Sequence, residues 1–197
     1  MPCLPIIYLT EITDVVMKMN PFGVINENSA EKSYNVHEAA EKLVCALISS
    51  GETVSTAESC TGGLIGGAIT SVSGASAVFE QGFITYANSA KEKLLGVSRE
   101  TLETLGAVSP DTAFQMAEGV CRASGSHIGI AVTGIAGPGG GTPEKPVGLV
   151  YISVCYKGKT HVFECHFSGD RNAVRTATVF TALTLAYKTI SDEQEDI

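Results

Sequence analysis

The stretch Thr53-Val-Ser-Thr-Ala-Glu-Ser-Cys-Thr-Gly-Gly-Leu-Ile65 changes character half-way along. As far as Ser59 it alternates β-branched and small residues, the pattern of a short buried strand. From Gly62 it carries two glycines and then a helix-compatible run. At the junction sit Glu58, Ser59, Cys60 and Thr61, side chains with polar or reactive atoms. A strand that stops on a serine and turns straight into a helix holds the hydroxyl where first-turn N–H groups converge. Such donors stabilise an oxyanion. Gly62 and Gly63 let the backbone bend tightly and let a ligand approach. The same residues also fit an ordinary strand–loop–helix connection with a serine cap. The flanking chain has to decide.

Before this stretch, Asn35 and Glu38 resemble a capping box, and Val36, Ala39, Ala40, Leu43, Val44, Leu47 and Ile48 repeat at helical spacing up to Gly51. After it, Ala77 to Tyr86 reads as a strand, and Asn88 is expected to cap a short helix from Ser89 to Leu95. Ser98 caps another helix that Gly106 closes, and Ser109-Pro110-Asp111 starts a third that carries Ala113, Met116, Ala117 and Val120 inward. His127 to Thr133 is an apolar strand leading into Gly134-Ile-Ala-Gly-Pro. Strands at Val147–Tyr156 and Thr160–Phe167 follow, joined by the hairpin signal Lys157-Gly158. A long helix, about Asn172 to Ile190, precedes an acidic tail. This order, α β α β α α α β β β α, predicts an α/β fold: a mixed sheet with helices on both faces and one antiparallel strand pair. The organisation expected is an arm and linker at 1–33, one globular domain at 34–190 and a tail at 191–197. The arm reads as a short strand or helix on a polar linker.

The chain has 197 residues and a formal charge of −8, with no clustered Lys or Arg, which argues against a nucleic-acid partner. No apolar run has membrane-spanning length. The six cysteines form no C-x-x-C, and the histidines show no ligand spacing, so neither a metal nor a cofactor is expected. Free thiols in a reducing cytoplasm account for the cysteines.

Four strand ends gather the candidate chemistry: Ser59, the Tyr86–Lys91 turn, the Thr133 glycine loop and the Gly169-Asp-Arg turn. Lys91 falls in the first turn of its helix, where the macrodipole disfavours a cation, so desolvation there would make it a base. Tyr86 could relay a proton or orient that amine. The competing reading is a solvated lysine and a rim tyrosine. The glycine loop lacks both the P-loop and the dinucleotide fingerprints, yet its N–H groups suit an anion or an amide oxygen. A flexible connection fits it equally. Arg171 and Arg175, four apart, share a helix face and suit a phosphate, or else a structural pairing with Asp170 or Glu58. Cys60 is the rival nucleophile to Ser59, although a packed thiol is the plainer account of it.

Taken together, Thr56-Ala-Glu-Ser-Cys-Thr-Gly-Gly, Gly82-Phe-Ile-Thr-Tyr, Gly106-Ala-Val-Ser, Thr133-Gly-Ile-Ala-Gly-Pro, Lys145-Pro-Val-Gly and Gly169-Asp-Arg resemble, in order, the C-terminal domain of the competence/damage-inducible protein CinA. That family is also found alone as nicotinamide-nucleotide amidohydrolase, and the resemblance covers about residues 35 to 190. It implies a three-layer α/β/α sandwich with a mostly parallel sheet. It also implies a cytoplasmic homodimer and deamidation of nicotinamide mononucleotide to the nicotinic acid nucleotide and ammonia. Carried over by residue, the nucleophile falls on Ser59, the family tyrosine on Tyr86, its lysine on Lys91 and its threonine on Thr133. The late arginine falls on Arg171 or Arg175, with Arg171 preferred. Substrate binding is expected of Thr61, Gly62, Gly63, Gly134 and Gly137 with the two arginines. Larger members carry a preceding domain resembling molybdopterin-binding proteins; nothing in this sequence matches it, so its activity is not expected here. The alternative is a non-catalytic nucleotide-binding or protein-partner module connected with competence or damage response.

Overall fold

The computed structural model describes residues 6–8 and 34–195. The sheet has six strands: β1 (Ile6–Tyr8), β2 (Val54–Glu58), β3 (Phe79–Ile84), β4 (Ile128–Gly134), β5 (Leu149–Tyr156) and β6 (Lys159–His166). The helices are α1 (Val36–Ser50), α2 (Leu64–Thr70), α3 (Asn88–Leu95), α4 (Arg99–Thr104), α5 (Pro110–Ser124) and α6 (Arg171–Glu195). Across the sheet the order is β1-β6-β5-β4-β2-β3.

The fold is the expected α/β one, with two corrections in the sheet. β5 alone is reversed, so it makes antiparallel pairs with both β4 and β6 rather than one. β1 adds to the β6 edge in parallel, placing one short piece of the arm in the sheet. The other expectations for residues 1–33 lie outside the described residues. At the other end α6 runs on to Glu195, so most of the expected tail is helical.

Each face of the sheet has its own core. On one side, α1, α2 and α6 cover the side chains of Val54, Ile130, Val132, Ile152 and Val154. On the other, α3, α4 and α5 cover Ala57, Ala131 and Cys155. The alternation along β4 and β5 therefore divides two apolar layers. Leu43, Val44 and Leu47 of α1 are fully buried. Each contributes about 1.5–3 kcal/mol of transfer free energy before its ordering entropy is set against it.

Local signals act largely as read. Asn35 accepts from Glu38 N, Ser98 from Thr101 N and Ser109 from Thr112 N. The hairpin turn has positive φ at both Lys157 and Gly158, which matches the right-handed strand twist. Asn88 is the exception: α3 starts on it, after Ala87, with no side-chain cap. That helix is instead anchored at its far end. Gly119 of α5 lies so close to the Leu95 carbonyl that a Cβ would strike it, and Arg122 donates to the same oxygen at 3.1 Å.

The registers place the site. Glu58 is level with Ile84 of β3 and with Val132 of β4, so β2 and β3 end side by side and β4 runs just past them to Gly134. Ser59 N donates to Val132 O at 3.1 Å and Thr85 N to Glu58 O at 2.8 Å, locking the three ends together. Ligands gather at such an edge in open α/β sheets.

Candidate active site

Just beyond those ends, Lys91 Nζ lies 3.1 Å from Ser59 Oγ. Lys91 is completely buried. Its amine donates to Thr85 O at 2.7 Å and to Tyr86 O at 3.4 Å. Among the described residues no carboxylate pairs with it, so removal from water outweighs the opposing influence of the Cys60 thiol, and its pKa falls from the ordinary 10.5 to about 8. Its place in the first turn of α3 works in the same direction. At neutral pH about a tenth of such an amine is a free base, against well under a thousandth of an ordinary lysine.

Glu58 sets the geometry of the serine turn. Its Oε2 accepts from Thr61 Oγ1 at 2.7 Å, Gly63 N at 2.9 Å and Ile65 N at 3.1 Å, and its Oε1 from Gly66 N at 2.8 Å. A fully buried carboxylate thus caps α2 in place of a solvent-facing residue. This engages most of the turn's N–H groups, for Gly62 N donates to Ser59 O. Among the described residues, the N–H of Thr61 carries no backbone partner, and that of Cys60 meets only its own side-chain sulfur. Of the first-turn N–H groups expected to hold an oxyanion, that of Cys60 belongs to a residue lining the cavity beside Ser59.

Cys60 stands beside Ser59 on the cavity wall, yet burial pushes its thiol up to about 11, with the nearby Glu58 charge acting in the same sense. It stays protonated and a poor nucleophile at neutral pH.

A cavity of about 200 Å³ opens onto Ser59, Cys60, Tyr86, Lys91, Thr133, Gly134 and Arg171, with Ala107, Val108 and Ala136 completing the wall. Several expected residues do other work. The Thr133 hydroxyl donates to Ala107 O at 2.6 Å, so its proton is not directed at a reacting oxygen. The Tyr86 phenol is exposed and meets Arg171 at 3.5 Å; it is the Tyr86 carbonyl that holds the amine.

The two arginines part company. Arg171 lines the cavity and donates to Gly137 O at 2.9 Å, which gives Gly137 a role through its carbonyl rather than its N–H. Arg175 turns toward α2 and donates to Thr61 O at 2.7 Å, with its Nε buried and unpaired among the described residues. Neither pairs with Asp170, whose Oδ1 caps α6 through Ala173 N, or with Glu58. Thr61, Gly62, Gly63, Gly137 and Arg175 all lie off the cavity wall.

Among the described residues, no group of three or more His, Cys, Asp or Glu is placed to hold a metal ion. No helix there is long and apolar enough to cross a membrane.

Comparison with known proteins shows that the CinA C-terminal domain model matches residues 36–190. The chain belongs to that family. A CinA-like protein of Kosmotoga olearia is 50% identical over 161 residues, which is 81% of this chain and 39% of the relative. A putative competence-damage inducible protein of Clostridium novyi is 55% identical over 143 residues, 73% of this chain and 34% of the relative. The chain thus spans well under half the length of these curated relatives. Solved structures are matched almost whole. The competence/damage inducible protein CihA of Agrobacterium tumefaciens is 47% identical with a TM-score of 0.77, covering 79% of this chain and 95% of that one. A CinA superfamily protein of Klebsiella pneumoniae is 33% identical with a TM-score of 0.78, covering 80% and 99%. The CinA-like domain of this chain is therefore the unit that those structures represent.

Proposed function

We propose that this chain is an amidohydrolase that converts nicotinamide mononucleotide and water to nicotinic acid mononucleotide and ammonia in pyridine-nucleotide salvage. The observation that carries this reading is the 3.1 Å contact between a serine hydroxyl and a fully buried amine. Lys91 takes the Ser59 proton as Oγ attacks the carboxamide carbon. The carbonyl oxygen becomes an oxyanion that the N–H group of Cys60, on the cavity wall, receives. The Lys91 ammonium then protonates the leaving nitrogen, the C–N bond breaks and ammonia departs. Water, deprotonated by Lys91, attacks the acyl ester, and Ser59 leaves with its proton restored. A cavity of about 200 Å³ suits the pyridine carboxamide end of the nucleotide, with the phosphate outside toward Arg171. A cytoplasmic homodimer belongs to the same reading.

The test is ammonia release from nicotinamide mononucleotide, with a chelator present. Turnover supports the reading; tight binding without turnover points to a nucleotide-binding module instead.

Two further expectations arise here. Because the base must be neutral, kcat/KM should rise with pH through a single limb centred near pH 8, the value to which burial brings Lys91. Well below that pH the rate should fall about tenfold per unit. A flat profile between pH 6 and 9 would remove Lys91 from the role of base. Replacing Arg171 by Gln should raise KM for the nucleotide roughly tenfold with a much smaller change in kcat, since a charge-assisted contact to the phosphate is lost. Unchanged KM in that variant would place the phosphate elsewhere.

A further inference from the structure

The segment between α4 and α5 has no regular structure, yet each of its carbonyls from 105 to 108 receives a side-chain donor. Leu105 O accepts from Lys145 Nζ at 2.6 Å, and Val108 O accepts from the same ammonium at 2.7 Å. Gly106 O accepts from Thr112 Oγ1 at 2.8 Å and Ser109 Oγ at 3.2 Å. Ala107 O accepts from Thr133 Oγ1 at 2.6 Å. Ala107 and Val108 form part of the cavity wall.

Lys145 comes from the glycine-rich loop between β4 and β5, and its backbone is pinned there. Its N–H donates to Thr142 Oγ1 at 3.0 Å, and Thr142 N donates to its carbonyl at 2.8 Å. A solvated surface lysine would not bridge two carbonyls of one turn from a fixed base. With every carbonyl engaged, the unpaired polar atoms of this wall among the described residues are the N–H groups of Ala107 and Val108. What remains to the wall is hydrogen-bond donation, which suits a ligand that brings acceptor atoms.

We infer that Lys145 is a positioning residue for the substrate: its ammonium fixes the 105–108 segment as a donor-bearing cavity wall and so sets how tightly an acceptor-bearing ligand is held. The kinetic side of this inference rests on the amidohydrolase reading; the structural side does not.

The experiment compares wild type, Lys145→Met and Lys145→Arg in two measurements. The first is turnover of nicotinamide mononucleotide; the second is amide hydrogen exchange across residues 105–109 of the unliganded chain, read by mass spectrometry. Lys145→Met should raise KM roughly tenfold while kcat stays within about twofold, and Lys145→Arg, which restores a cationic donor, should recover most of the affinity. Exchange across 105–109 should quicken by roughly tenfold in Lys145→Met, with α3 and β4 unchanged. Wild-type KM or wild-type exchange in Lys145→Met overturns the inference, and so do equal losses in the Met and Arg variants. Should Lys145→Met fail to fold, Lys145→Gln is read in the same way, with an intermediate rise in KM expected. If wild type releases no ammonia, the amidohydrolase reading falls, and the exchange measurement alone decides the clamp.

Discussion

Ser59→Ala should fold as the wild type does and release ammonia from nicotinamide mononucleotide at a rate lower by roughly a thousandfold or more. The two halves of that expectation have separate causes. The polypeptide at Ser59 is held by its main chain, N–H to Val132 O and C=O from Gly62 N, and alanine keeps both bonds. The side chain's described partner is Lys91, which retains its two carbonyl acceptors when the hydroxyl goes. A melting temperature close to wild type with abolished turnover is therefore the expected pair of measurements. Surviving turnover would move the nucleophile away from Ser59, and Cys60 is poorly placed to inherit it, since burial keeps its thiol protonated.

The largest effect on stability should come from Glu58. Four donors converge on its carboxylate inside the protein, three of them backbone N–H groups of the α2 start. Glu58→Ala strands all four, and buried donors without an acceptor cost about 1–3 kcal/mol each where water cannot reach them. Partial relaxation makes about 3–5 kcal/mol the expected loss in denaturant unfolding. Glu58→Gln keeps one acceptor oxygen but turns an NH₂ toward one of the donors, and should lose about 2 kcal/mol. Because the same turn carries Ser59, turnover should fall in both variants under conditions where they remain folded. A Glu58→Ala protein as stable as wild type would mean that the α2 start is held by something other than this carboxylate.

The sequence speaks most clearly where a physical rule is local. Caps at Asn35, Ser98 and Ser109, the Lys157-Gly158 turn and the helical period of α1 all lie within a few residues of what they control. The approach of Lys91 to Ser59 is legible too, because parallel neighbouring strands bring consecutive strand–helix junctions to one sheet edge.

What was not legible depends on partners distant in the chain. A glutamate before a serine has the same letter whether it faces water or collects four donors. Thr133 reads as a hydroxyl for catalysis until Ala107 takes its proton. Arg171 and Arg175 share a helical spacing, yet the start of α2 draws one aside and the glycine loop holds the other at the cavity. Tyr86 acts on the amine through an atom that every residue possesses. The solitary reversal of β5 lies in the pairing order, which no short window records.

That Thr85 and Tyr86 hold Lys91 by peptide oxygens has a stereochemical consequence. Once neutral, a primary amine has two hydrogens and one filled orbital. If both hydrogens point at those oxygens, the orbital is left facing the serine, the direction in which a base must aim. Exchanging the side chains at 85 and 86 leaves that aim in place, because the groups that set it belong to the polypeptide itself.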